Sequence, residues 1–161
     1  MNSILGYNEC EVQRKDRIIV LKDKNSGNSK YIANNDNCKM ISEFIVDGCI
    51  IKDDREKCDF MLLDYDGKKV YFIELKGSDL SKAYSQLVET IRFFKNYEKF
   101  QINILKNYKI LARIVLIKGN VPNIRYRSYD ALVKILEDIN SEKIKDGIHI
   151  KRIKSGQIEN L

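Results

Sequence analysis

The sequence predicts an α/β fold: a central mixed β-sheet flanked by helices, with a β-hairpin added at the N-terminus. Three observations predict it. Two apolar runs, Asp59 to Asp64 and Val70 to Lys76, are joined by Tyr65-Asp66-Gly67-Lys68, and Asp-Gly is a strong two-residue hairpin signal. Leu80, Ala83, Tyr84, Leu87, Ile91 and Phe94 then recur at three- and four-residue steps, which makes one apolar helix face. Finally, Ile110 to Ile117 is a nearly unbroken apolar strand, broken only by Arg113, and such strands are covered on both faces. Strand, helix, strand in this order implies a right-handed crossover and a parallel pair, whereas the hairpin is antiparallel.

The remaining elements follow in chain order. Arg17 to Leu21 and Lys30 to Ile32 flank the polar stretch Asn25-Ser26-Gly27-Asn28 and read as the N-terminal hairpin. Met40 to Ile51 fits two patterns. Ile41, Phe44 and Ile45 suit a helix face, but Phe44-Ile45-Val46 and Cys49-Ile50-Ile51 suit strands broken by Asp47-Gly48. Ser78 or Asp79 can cap the helix that starts at Leu80. A second amphipathic helix carries Tyr129, Leu132, Val133, Leu136 and Ile139 inward. Ile148 to Lys154 closes the sheet as an edge strand, with Ile148 and Ile150 inward and basic residues outward. Lys24 to Ser29 and the tail from Ser155 are the only linker-like stretches, and neither marks a domain boundary, so residues 1–161 are expected to form one domain.

Composition narrows the function classes. At 43% hydrophobic the chain can bury a core, and at 32% charged its surface is heavily ionic. The 29 Lys and Arg exceed the 23 Asp and Glu, and the net charge of +6 favours a polyanionic partner or simply a solvated basic surface. No apolar run approaches the ~20 residues that span a bilayer. Met1 to Asn8 lacks the order of a signal peptide, so a cytoplasmic, non-membrane protein is expected. Cys10, Cys38, Cys49 and Cys58 form no CxxC pair and His149 is the only histidine, which argues against zinc. Reduced, mostly buried thiols are expected instead.

The register of the central hairpin carries the chemistry. With Asp66 and Gly67 at the turn, Leu63 faces Val70, Met61 faces Phe72, and Asp59 falls directly opposite Glu74. Opposed side chains lie about 5 Å apart on one face, and Lys76 shares that face two residues on. Two carboxylates at the end of an apolar hairpin repel each other and lose water. A divalent cation between them relieves both, and oxygen ligands at this spacing suit Mg²⁺, with Mn²⁺ as a substitute. The alternative is that Asp59 and Glu74 are ordinary surface charges balanced by Lys57 and Lys76.

Cys58-Asp59-Phe60-Met61-Leu62-Leu63 followed by Tyr71-Phe72-Ile73-Glu74-Leu75-Lys76-Gly77 resembles the signature of the PD-(D/E)XK, or restriction-endonuclease-like, nuclease superfamily. The resemblance covers roughly residues 40–120. It implies a restriction-endonuclease-like core, Mg²⁺ held by Asp59 and Glu74, and Lys76 assisting the attacking water. RecB-like members place a Gln on the following helix, which Gln86 matches, and often a Tyr a turn later, where this chain has Thr90. Many members carry a Glu on a helix before the Asp strand; Glu43 is the best-placed candidate and Asp47, a further candidate for the metal, the second. The implied activity is phosphodiester hydrolysis, more in keeping with DNA than RNA and with endonucleolytic cleavage, in restriction, defence, recombination or repair.

Lys118, Arg125, Arg127, Lys151 and Arg152 are the candidate nucleic-acid contacts, with Tyr126 and Tyr129 interleaved. Lys118 is the best of them, because it follows a strand parallel to the one carrying Glu74. A chain this short has little room for a recognition domain, so specificity would need a homodimer, a partner or recognition of DNA structure. The competing expectations are a non-catalytic nucleic-acid-binding or assembly module on the same fold, and an RNA-directed nuclease.

Overall fold

The computed structural model describes residues 2–23, 28–75, 79–117 and 124–161. Among them are nine strands, three α-helices and one 3-10 turn, Asn8–Cys10. The strands are β1 (Glu11–Arg14), β2 (Ile18–Lys22), β3 (Lys30–Asn34), β4 (Ile41–Ile45), β5 (Phe60–Asp64), β6 (Lys69–Leu75), β7 (Lys109–Leu116), β8 (Ile150–Lys154) and β9 (Ile158–Asn160). The helices are α1 (Leu80–Lys95), α2 (Glu98–Asn103) and α3 (Arg127–Asn140).

Six strands form the central sheet in the order β1-β4-β5-β6-β7-β8. The pairs from β1 to β6 are antiparallel, and β6-β7 and β7-β8 are parallel, so the sheet is mixed as expected. The N-terminal hairpin β2-β3 is present, but it does not stand alone. The C-terminal β9 pairs in parallel with β3, and the three strands make a second sheet.

The two layers explain the unbroken apolar runs. Met61, Leu63, Val70, Phe72, Ile110, Ala112 and Ile114 face the helices and pack with Leu87, Ile91, Phe94, Leu132 and Leu136. Leu62, Tyr71, Ile73, Leu111 and Val115 face the other way, against Ile19, Leu21, Tyr31 and Ala33 of the second sheet. A sheet buried on both faces has no polar side to alternate with. The Asp79 side chain caps α1 by accepting from the Lys82 N–H at 3.0 Å.

Several expectations need correction. Of the two patterns open for Met40 to Ile51, residues 41–45 take the strand, and they pair with β5 from Ile41–Asp64 to Ile45–Phe60. The hairpin loop is four residues long, between the pair Asp64–Lys69, and its left-handed residue is Lys68 at φ 52° rather than Gly67. The register survives, because a four-residue loop centred on Asp66 and Gly67 preserves the same pairing. Gly67 is needed for space: its N–H donates to Asp64 Oδ1 at 2.9 Å, and a Cβ there would collide with that carboxylate. Ile148 is 52% exposed, while Ile150 and Ile153 are the inward residues of β8.

The thiol expectation is also corrected, since Cys10 and Cys49 form a disulfide. Pairing of β1 with β4 brings the start of β1 beside the loop that follows β4, and no cysteine spacing reveals that. Cys58 is a free, buried thiol and Cys38 a free, exposed one. No helix among the described residues is long and apolar enough to cross a membrane.

A buried charge network joins the layers. Arg113 of β7 donates from Nε to both oxygens of Glu159 on β9 at 2.8 Å. The Tyr31 hydroxyl donates to the same carboxylate at 2.6 Å. The arginine that interrupts an apolar strand thus anchors the C-terminal strand. Burial, and then the charge of Glu159, hold the Tyr31 hydroxyl well above its usual range, so it stays a donor.

Candidate functional site

The β5-β6 register is the one expected, with Phe60 opposite Ile73, Met61 opposite Phe72 and Leu63 opposite Val70. One step beyond the last pair, Asp59 and Glu74 come together. Asp59 Oδ2 accepts from the Leu75 N–H at 2.7 Å, and the register sets Asp59 opposite Glu74 on the same face of the hairpin. Glu74 is 2% exposed.

Burial is the largest influence on Asp59 and pushes its carboxyl up to about 6. The Leu75 N–H opposes that rise, because a donor favours the ionised form. The negative charges of Asp23 and Asp47 push it further up, and the hydrogen bond with Glu74 pulls it back. Asp23 follows β2, so the hairpin layer reaches the site, a contribution that sequence reading missed. Asp47 lies in the loop after β4 and sits 3.7 Å from Lys57. The Val46 and Asp47 N–H groups both donate to the Asp59 carbonyl, at 2.9 and 3.4 Å.

Helix α1 fixes the approach to Asp59. Thr90 Oγ1 accepts from the Cys58 N–H at 2.7 Å and donates to the Gln86 carbonyl at 2.8 Å. Gln86 Nε2 donates to the Lys57 carbonyl at 3.1 Å. Ser85 donates to the Glu56 carboxylate. Gln86 therefore acts on the site as a positioning residue, by holding the backbone two residues before Asp59. The Cys58 thiol is pushed well up by burial and by the charge of Glu74, so it is a packing residue and not a nucleophile.

The other candidates separate. Glu43 sits opposite Leu62, which faces the second sheet, and pairs with Arg14 at 2.7 Å. Strand periodicity thus puts Glu43 on the face opposite Glu74, and the structure does not bring it to the carboxyl pair. Lys151 lies beside Arg113 on that same far face, 3.5 Å from Glu159. Arg152 falls on the near face. It pairs across β7 with Ile114, which pairs with Glu74, so Arg152 and Glu74 share one row two strands apart, about 10 Å. Arg152 donates to the Tyr84 hydroxyl at 3.0 Å and to Asp146 at 2.6 Å, and its guanidinium lies 5.8 Å from the Tyr129 ring centre. Arg125 is 82% exposed and pairs with Asp130, and Arg127 is exposed at the start of α3. Lys76 and Lys118 lie outside the described residues.

No protein-family model, curated protein or solved structure matches the chain.

As a donor set, the pair suits a hard cation. Two carboxyls at neighbouring positions of one face, one of them pushed up to about 6 by burial, offer oxygen ligands and a position that a divalent ion can take from a proton. Among the described residues there is no group of three or more His, Cys, Asp or Glu that could hold a metal ion, so water or substrate oxygens would complete the shell.

Proposed function

We propose that this chain is a metal-dependent nuclease with a restriction-endonuclease-like core, acting on DNA. The observation that carries the reading is the hairpin register that sets Asp59 opposite Glu74, with Lys76 the next alternate residue in the sequence. The mixed sheet with helices on one face supports the fold, although a strand, β4, stands where many relatives in the superfamily have a Glu-bearing helix. Thr90 departs from the RecB-like pattern too, but it does the work of fixing the segment before Asp59.

Bound at the pair, Mg²⁺ or Mn²⁺ supplies a Lewis acid that lowers the pKa of water and offsets charge on the phosphate. Asp59 and Glu74 would hold the ion through their oxygens, and the Leu75 N–H fixes the Asp59 carboxylate for that task. Lys76, from its place in the motif, holds the attacking water or stabilises the pentavalent charge. Gln86 and Thr90 keep Asp59 in place. Arg152, in the Glu74 row, and Lys118, Arg125 and Arg127 draw in the phosphate backbone.

The test is cleavage of labelled double-stranded, single-stranded and branched DNA, with RNA alongside, in Mg²⁺, in Mn²⁺ and in chelator. Metal-dependent cleavage of DNA supports the proposal. Preference for RNA makes the chain an RNA-directed nuclease, and binding without cleavage makes it a non-catalytic module.

A further inference from the structure

One depression on the helix side belongs to neither the carboxyl pair nor the Arg152 cluster. It holds about 300 Å³ and is lined by Arg55, Glu89, Arg92, Phe93, Asn96 and Tyr97. Phe93 lies in the last turn of α1 and Tyr97 in the extended link to α2, with rings 16° from parallel and centres 6.5 Å apart. The rings are fixed before any ligand arrives: the Tyr97 hydroxyl donates to the Leu5 carbonyl at 2.7 Å, and Phe93 meets Phe94 edge-on. The Arg55 guanidinium lies 5.3 Å from the Phe93 ring centre.

Both arginines are oriented but not used up. Asp53 takes Nε and Nη2 of Arg55, which leaves its Nη1 donors open among the described residues. Glu89 takes Nη1 of Arg92, which leaves Nε and Nη2 open in the same sense. The Arg55 and Arg92 side chains are 46% and 54% exposed. Asp53 and Glu89 cancel the two positive charges, so a bare anion gains little here. A ligand gains only if it also offers a flat face to the rings, and a nucleobase with its phosphate does both. In a duplex the base faces are already stacked, so the base must be unpaired.

The place fits the carboxyl pair. Arg55 is four residues before Asp59, at most ~14 Å of chain. Phe93 is seven residues after Gln86, ~10 Å along the helix. We infer that Phe93, Tyr97, Arg55 and Arg92 form a stacking site for an unpaired nucleobase and its phosphate, so that the chain takes single-stranded nucleic acid. As a substrate assignment this rests on the nuclease reading; as a binding site it does not.

The test is fluorescence anisotropy of the full chain in chelator, with a labelled single-stranded oligodeoxynucleotide and the matched duplex, and with adenosine monophosphate as competitor. Phe93→Leu, and Arg55→Gln together with Arg92→Gln, are compared with wild type, and thermal melting checks folding. Wild type binds the single strand more tightly than the duplex, and each variant weakens single-strand binding by roughly 5- to 50-fold, the range of one lost stack. Duplex binding is unchanged. Unaltered single-strand binding in both variants overturns the site, and a mononucleotide that competes as well as the oligonucleotide overturns its assignment to single strands. Should Phe93→Leu fail to fold, the arginine pair, being on the surface, still decides. Chelator blocks cleavage, so a chain that stacks single strands yet never cleaves with Mg²⁺ refutes the nuclease and keeps the site.

Discussion

The Asp59 carboxylate accepts from the Leu75 backbone N–H at 2.7 Å, which ties the residue before β5 to the last residue of β6. That bond sets the carboxylate beside Glu74 while burial works against its charge. On the proposed reading, function and stability therefore pull on Asp59 in opposite directions.

The first prediction concerns pH. The folded Asp59 carboxyl titrates at about 6, against 3.8 for the ordinary group. The folded state binds that proton more tightly than the unfolded one. The stabilisation it brings to the metal-free protein is complete below pH 3.8 and is lost as pH rises through about 6. Asp59→Asn keeps an acceptor for Leu75 and removes the charge. Urea unfolding should show it more stable than wild type by roughly 1–3 kcal/mol at pH 7, with the gain fading towards pH 4.

Thr90 makes the second. Replacing it with Val keeps the volume and strands the buried Cys58 N–H. The expected loss is roughly 1–3 kcal/mol in urea unfolding. Amide exchange at Cys58 should rise along with it.

The buried pair Arg113–Glu159 makes the third. Glu159→Leu leaves a guanidinium 6% exposed without its carboxylate and should cost roughly 3–5 kcal/mol. Adding Arg113→Met should recover most of that loss. A double variant no more stable than Glu159→Leu alone would mean that the loss comes from β9 undocking instead.

For the fourth, the disulfide joins residues 39 apart in sequence. Cys10→Ser with Cys49→Ser should lower stability by roughly 2–4 kcal/mol in denaturant unfolding without reductant. Reductant should bring wild type down to the level of the variant.

The sequence was legible where short-range rules decide. The Asp66-Gly67 turn with its flanking apolar runs placed Asp59 opposite Glu74, and the spacing of Leu80, Leu87, Ile91 and Phe94 placed α1. It was silent where contacts are distant. Nothing near Glu11 to Arg14 says that these residues pair with β4, and from that pairing follow the disulfide and the Arg14–Glu43 bridge. Nothing near Ile158 says that it joins β3. Residues 41–45 read ambiguously because the strand is buried on both faces, and its apolar positions then fit either period. Arg152 reads in the sequence as a basic residue on an edge strand, and its place in the Glu74 row follows only from two parallel registers.

The most direct measurement is single-turnover cleavage of labelled DNA by wild type and Glu74→Gln, in Mg²⁺ and in chelator. The account predicts cleavage by wild type that chelator abolishes, and a loss of at least about a hundredfold in Glu74→Gln, as removal of a metal-holding group entails. Cleavage that is equal in Glu74→Gln and wild type, or that persists in chelator, would contradict it.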